Sequence, residues 1–330
     1  MTTASAPGKI ILFGEHAVVY GRPALAVPVI QVHADAEVSD SDSTGIMIHA
    51  PDIDLHADLN TLPSDHPIAS VIHNLFFLAR TSPSPSGRGV RGEGKFPNLD
   101  IKIASTIPVA SGLGSGAAVT VALTRALSSH INYPMTDEEI NSFAYEIEKL
   151  YHGAPSGIDN TVVTYAKPVY FIKRPPSPDR RGSGGEVETF KVGQPFTIVI
   201  GDTGISAPTR ESVSAVRKLW EADKVKWEKA FDKVGELAKE ARDSIERGKR
   251  KELGGLMNQN HALLQELTVS SAELDNLVSA ARKAGALGAK MSGGGRGGNM
   301  IALIEPDQAE AVAKSLMEAG ATNIIVTQVA

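Results

Sequence analysis

The chain has 330 residues, 42% of them hydrophobic, and its 33 Lys and Arg against 38 Asp and Glu give a net charge of −5. That length can bury one large core or two, and the acidic balance argues against nucleic acid as a partner. Cysteine is absent, which excludes disulfides, thiolate metal sites and thiol catalysis. No apolar run reaches the roughly 18 residues of a membrane span. The amino-terminal run lacks the basic flank of a signal peptide, so the expected location is cytoplasmic.

Taken in order, residues 9–13 (KIILF) predict a short strand that runs into Gly14-Glu15-His16. Residues 24–30 and 32–38 predict two more strands, the second alternating apolar and polar. A helix is predicted over 67–80 and a Pro, Ser, Gly and Arg-rich surface loop over 82–94. Residues 99–107 alternate as a strand that ends at Pro108, and 117–128 (AAVTVALTRALS) have the composition of a buried helix. Thr136 and Glu139 spell a capping box, after which Ile140, Phe143, Ala144, Ile147 and Tyr151 mark one helical face. That helix must stop before Gly153-Ala154-Pro155-Ser156-Gly157; Asp159 follows, then an apolar run over 161–165.

A strand over 169–172 precedes a second low-complexity loop over 174–186, the clearest candidate boundary or excursion. Residues 196–200 (FTIVI) predict a buried strand, and 212–247 a long helical region packed through Leu219, Trp220, Trp227 and Phe231. Helices follow over 253–267 and 271–284. The remainder reads strand (288–292), glycine turn, strand (299–304), helix (307–317) and strand (323–329), the spacing of a small α+β layer with helices on one face.

Four stretches can carry chemistry. In 108–118 (PVASGLGSGAA) a strand breaks into Gly112, Gly114 and Gly116 and opens onto a helix. Such a turn directs unpaired backbone N–H groups and the positive end of the helix dipole at one point, a natural seat for a polyphosphate. Read alone, it either binds phosphate or merely caps the helix. Lys9 beside Gly14-Glu15-His16 is either a surface charge or a cation facing a cleft. Glu148 and His152 share a helical face, a weak metal signal, and the loop after them aims Asp159 at a fixed point, to orient an alcohol or to stabilise an Asx turn. In 290–298 (KMSGGGRGG) there is more glycine than a hairpin needs. Together these pieces suggest phosphoryl transfer, which needs backbone donors and cations for the phosphates, a carboxylate for Mg²⁺ and a group to orient the nucleophile.

At these residues the chain resembles the superfamily of galactokinase, homoserine kinase, mevalonate kinase and phosphomevalonate kinase, with all three signature stretches in order. PGKIILFGEHAVVYG (7–21), HGAPSGIDN (152–160) and KMSGGGRGG (290–298) look like the mevalonate kinases, particularly the bacterial members. The resemblance implies an α+β protein with an N-terminal ribosomal-protein-S5-like domain over 1–192 and a C-terminal ferredoxin-like domain over 193–330. It implies ATP-dependent phosphorylation of the 5-hydroxyl of mevalonate, with Asp159 and Lys9 catalytic and Glu15, His16 and Thr209 contacting the acceptor. Pro108, Ser111, Gly112, Leu113, Gly114, Ser115, Gly116 and Ala117 would cradle ATP, and Gly293, Gly294 and Gly295 would close on it. Glu148 and Ser115 would hold Mg²⁺. The family's runner-up activities act on phosphomevalonate or another mevalonate hydroxyl, the non-enzyme alternative is a ligand sensor on the same fold, and homodimers occur. One departure stands out: the family commonly has a second serine where this chain has Gly116.

Overall fold

The structure, a computed structural model, describes residues 1–330 except 82–95, 109–110, 153–154, 174–184 and 207–208. The two predicted low-complexity loops therefore lie largely outside the described residues. In chain order the strands and α-helices are β1 (Thr2–Phe13), β2 (Pro23–Asp40), β3 (Ile46–Ala50), β4 (Leu55–Asp58), α1 (Pro67–Thr81), β5 (Leu99–Ser105), α2 (Ser115–His130), α3 (Asp137–His152), α4 (Ile158–Tyr165), β6 (Val169–Lys173) and β7 (Gly185–Thr189). The second half adds β8 (Phe196–Asp202), α5 (Thr209–Ala222), α6 (Lys224–Glu246), α7 (Arg250–Glu266), α8 (Ala272–Lys283), β9 (Gly288–Met291), β10 (Asn299–Ile304), α9 (Ala309–Glu318) and β11 (Asn323–Val329). Among the described residues no helix is long and apolar enough to cross a membrane.

Strands β1 to β7 form one sheet organised around β2, which pairs with β1, β5 and β6. The two strands expected over 24–38 are this single long strand. Its register with β1 slips between Pro7↔His33 and Gly8↔Val29, and Ile30 is left exposed at the bulge. The bulge is what interrupts the alternation in the sequence. β1 likewise starts at Thr2 rather than at Lys9, because its first half pairs with the far half of β2. Three short strands, β3, β4 and β7, carry too little apolar periodicity to be seen locally. β7 begins inside the stretch expected to be loop up to Glu186. The capping box forms as spelled: Thr136 N donates to Glu139 Oε2 at 2.7 Å and Glu139 N to Thr136 Oγ1 at 3.3 Å. The long helical region breaks at Asp223, whose carboxylate accepts from Lys226 N at 3.0 Å and starts α6.

Strands β8 to β11 make a second, wholly antiparallel sheet in the order β11-β8-β10-β9. With α5 to α8 between its first two strands and α9 between its last two, this is the split βαβ arrangement of ferredoxin-like domains. Both faces of β8 are covered. Phe196, Ile198 and Ile200 join the core that continues into the first sheet, while Val199 joins Phe231, Leu264, Leu277 and Met300 under the helices. That double burial explains why residues 198–200 (IVI) run apolar without alternating.

Candidate active site

Lys9 lies on β1 with its side chain almost sealed from solvent, and its Nζ is 3.0 Å from Asp159 Oδ1. Asp159 occupies the first turn of α4, behind Gly157 at φ 88°, and keeps 34% of its side chain exposed. The two groups are 150 positions apart in sequence and meet because α4 packs against β1. Glu148, on α3, completes the cluster. Burial first, and then the Asp159 carboxylate, push its pKa up to about 8 against the pull of Lys9.

The glycine stretch folds over this pair. Lys9 N donates to Leu113 O at 2.9 Å, and Gly112 and Gly114 both take left-handed backbone before α2 begins at Ser115. Gly114 is required by space as well as by φ, since a Cβ there would come within 2.9 Å of Lys9 Cγ. Cβ atoms at Gly112, Gly116 or Gly293 would meet no atom within 4 Å among the described residues, so these backbones border open space. Leu113 and Ala117 are buried beneath the turn, whereas Pro108 and Ser115 are half-buried at its rim. The third motif approaches from the second sheet: Asn299 Nδ2 donates to Ser111 O, and Ser292 Oγ donates to Ile11 O at 2.7 Å.

The expected acceptor-side residues divide. His16, in left-handed backbone, directs Nε2 to Gly294 O at 3.1 Å, and burial lowers its pKa to about 4, which keeps the ring neutral. Thr209 opens α5, and its side chain lies outside the described residues, as does that of His152. Glu15 does not face open space. It is fully enclosed, with one carboxylate oxygen on Lys290 Nζ and the other accepting from Asn260 Nδ2 at 3.2 Å. The carboxylate that the resemblance assigns to the acceptor is thus engaged in an internal ion pair. Asn260 and Asn299 went unnoticed in the sequence. The available signal was that Asn260 and His261 fall among Leu253, Leu256, Met257 and Leu264, on the buried face of α7.

Comparison with known proteins identifies the lineage. The GHMP kinases N terminal domain matches residues 85–167 and the GHMP kinases C terminal domain matches residues 241–322. The mevalonate kinase of Thermococcus gammatolerans is 37% identical over 339 residues, covering 98% of this chain and 94% of that protein. The chain belongs to the mevalonate kinase family. The Pyrococcus abyssi member is 36% identical over 98% of this chain and 95% of its own length. The crystal structure of L. major mevalonate kinase in complex with R-mevalonate superposes with a TM-score of 0.80 at 29% identity, covering 100% of this chain and 96% of that one. The two-domain α+β fold of this chain is thus that of the mevalonate kinases, and its activity that of a kinase using ATP. A groove of about 1090 Å³ on the outer face of the first sheet, bordered by Asp35, Glu37, His49, His56 and Lys102, touches none of the expected site residues.

Oxygen donors are what this cluster offers a metal. Two carboxylates, Glu148 and Asp159, stand near the single Lys9, and burial first, then the neighbouring Asp159 charge, raise the pKa of Glu148. Carboxylate oxygens of this kind suit a hard divalent cation such as Mg²⁺.

Proposed function

We propose that this chain transfers the γ-phosphoryl group of ATP to the primary 5-hydroxyl of mevalonate, and that it does so in the cytoplasm with its two domains dividing near residue 193. The observation that carries the chemistry is the 3.0 Å contact between a sealed Lys9 and a partly open Asp159 under a glycine turn. In the reaction the C5 oxygen bonds to the γ-phosphorus, the bond from that phosphorus to the β–γ bridging oxygen breaks, and ADP leaves. Asp159 orients the alcohol and receives its proton, and Lys9 stabilises negative charge on the γ-phosphoryl oxygens. Backbone N–H groups of residues 111–117 and the dipole of α2 hold the phosphates, and 293–295 cover them from the second domain. Glu148 and Ser115 would hold Mg²⁺, which neutralises phosphate charge when bound. His16 and Thr209 would contact the acceptor.

The buried lysines favour an unphosphorylated acceptor, since Lys9 and Lys290 are each already paired with a carboxylate; the exposed Arg296, whose charge acts on His16, is the further cation near this end of the site. A phosphomevalonate kinase of Streptococcus pneumoniae superposes with a TM-score of 0.79, but at 19% identity this likeness is one of fold alone. The test is ADP release coupled to mevalonate addition, with phosphorus NMR of the product. Asp159→Asn should lower kcat by about 10²–10⁴-fold. ADP release that ignores mevalonate, or wild-type turnover by the variant, would overturn the assignment.

A further inference from the structure

The first and third signature stretches meet in a regular way. Residues 290, 292 and 294 of one contact residues 15, 11 and 16 of the other, through Lys290 to Glu15, Ser292 to Ile11 and His16 to Gly294. The turn so held is a strained one. Gly14 has φ 94° and no room for a Cβ, which would fall 2.4 Å from Ala24 Cα, and His16 has φ 59° without being glycine. Between them Glu15 is wholly enclosed against an equally enclosed Lys290. Lys290 Nζ also donates to Met291 O at 2.7 Å, and burial lowers its pKa while Glu15 raises it.

Helix α7 holds Glu15 and the residue that follows Lys290. Asn260 donates to Glu15, and the next residue, His261, accepts from Met291 N at 3.3 Å through Nδ1 while its Nε2 faces Asp275 at 3.2 Å. A dry ion pair adds little stability over apolar residues of the same size. What it does supply is a unique register, because neither charge can be left without the other.

We propose that Glu15 and Lys290 are positioning residues: their ion pair latches the Gly14–His16 turn of the first domain to the 292–295 glycine loop of the second, and so sets the width of the cleft above Lys9 and Asp159, without touching substrate. The inference rests on the kinase reading of that cleft. A latch moves both walls at once, whereas a substrate contact affects one substrate.

The experiment compares wild type, Glu15→Gln, Lys290→Met and the double variant for Tm, for kcat, for KM of ATP and of mevalonate, and for amide exchange at 14–16 and 293–295. Each single variant should lose about 10- to 100-fold in kcat/KM, the scale of a small misplacement of reacting groups, with both KM values raised. The double variant, which strands no charge, should regain most of the Tm but not the kcat/KM. Exchange should quicken on both sides of the latch and nowhere else. Glu15→Asp, which keeps the charge but shortens the reach, carries the same kinetic expectation should the others fail to fold. Variants that lose Tm yet keep wild-type kinetics and exchange would overturn the latch. A KM rise confined to mevalonate would overturn it too, by returning Glu15 to substrate contact. Wild type without mevalonate-dependent turnover would instead sink the kinase reading, and the exchange measurement would still decide on the latch.

Discussion

Two lysine–carboxylate pairs stand on either side of one short stretch of chain, and they differ in their access to water. Lys9 and Asp159 meet within the first domain, and Asp159 remains a third open. Glu15 and Lys290 meet across the domains, with no exposure on either side chain. The open pair can admit a hydroxyl and pass a proton. In the closed pair every oxygen already has a protein partner, so it can only hold geometry. On the proposed reading the same two functional groups would serve chemistry in one place and alignment in the other, with solvent access deciding which.

Lys9→Met probes the contrast with the largest expected effect. Turnover should fall by about 10²–10³-fold, as when one donor to developing charge is lost. Its stability cost should be only about 1 kcal/mol, because water can still solvate Asp159. Lys290→Met should instead cost about 3–5 kcal/mol, since it strands a buried carboxylate. Urea unfolding of both variants gives the ranking, and the reverse order would break the comparison.

Glu148 sharpens it through pH. Burial, and then Asp159, hold its pKa near 8 in the folded protein, above the ordinary carboxylate value of 4.5. The folded state therefore keeps a proton that the unfolded chain has lost, and this group's contribution to stability declines as pH rises from about 4.5 through 8. Unfolding measured at pH 6 and pH 8.5 should show that decline in wild type and less of it in Glu148→Gln. At pH 7, calorimetry in buffers of different ionisation enthalpy should show Mg·ATP binding releasing about one proton in wild type and none in the variant. Equal release by both would remove Glu148 from the cation site.

The smallest effect is expected at Gly116, where a side chain would meet nothing within 4 Å. Gly116→Ser should stabilise the first turn of α2 by about 0.5 kcal/mol and leave kcat within about threefold, because Mg²⁺ retains several waters. A gain of orders of magnitude in turnover at saturating Mg²⁺ would show that the missing hydroxyl matters.

Much of this molecule was legible along the chain. The Thr136–Glu139 capping box, the doubly buried FTIVI strand and the strand–strand–helix–strand ending each depend on neighbours within a few residues. The glycine turn was equally plain, because backbone that must take positive φ and stay open leaves a compositional mark. Strands β3, β4 and β7 were not legible, being too short to show a period and owing their conformation to pairing. The unbroken length of β2 was hidden by its bulge, which only the partner strand reveals.

The site divides along the same line. Local spelling by itself offered Lys9, Asp159, Glu148 and the glycine loops as candidates for phosphoryl transfer, since each residue type suits that chemistry, while leaving a bland reading open for each. It could not tell that Glu15 is sealed against Lys290, 275 positions away, with Asn260 on its other oxygen. Which carboxylate meets water and which is enclosed depends on how two sheets pack together, and burial is a property of the packed chain that no single segment possesses.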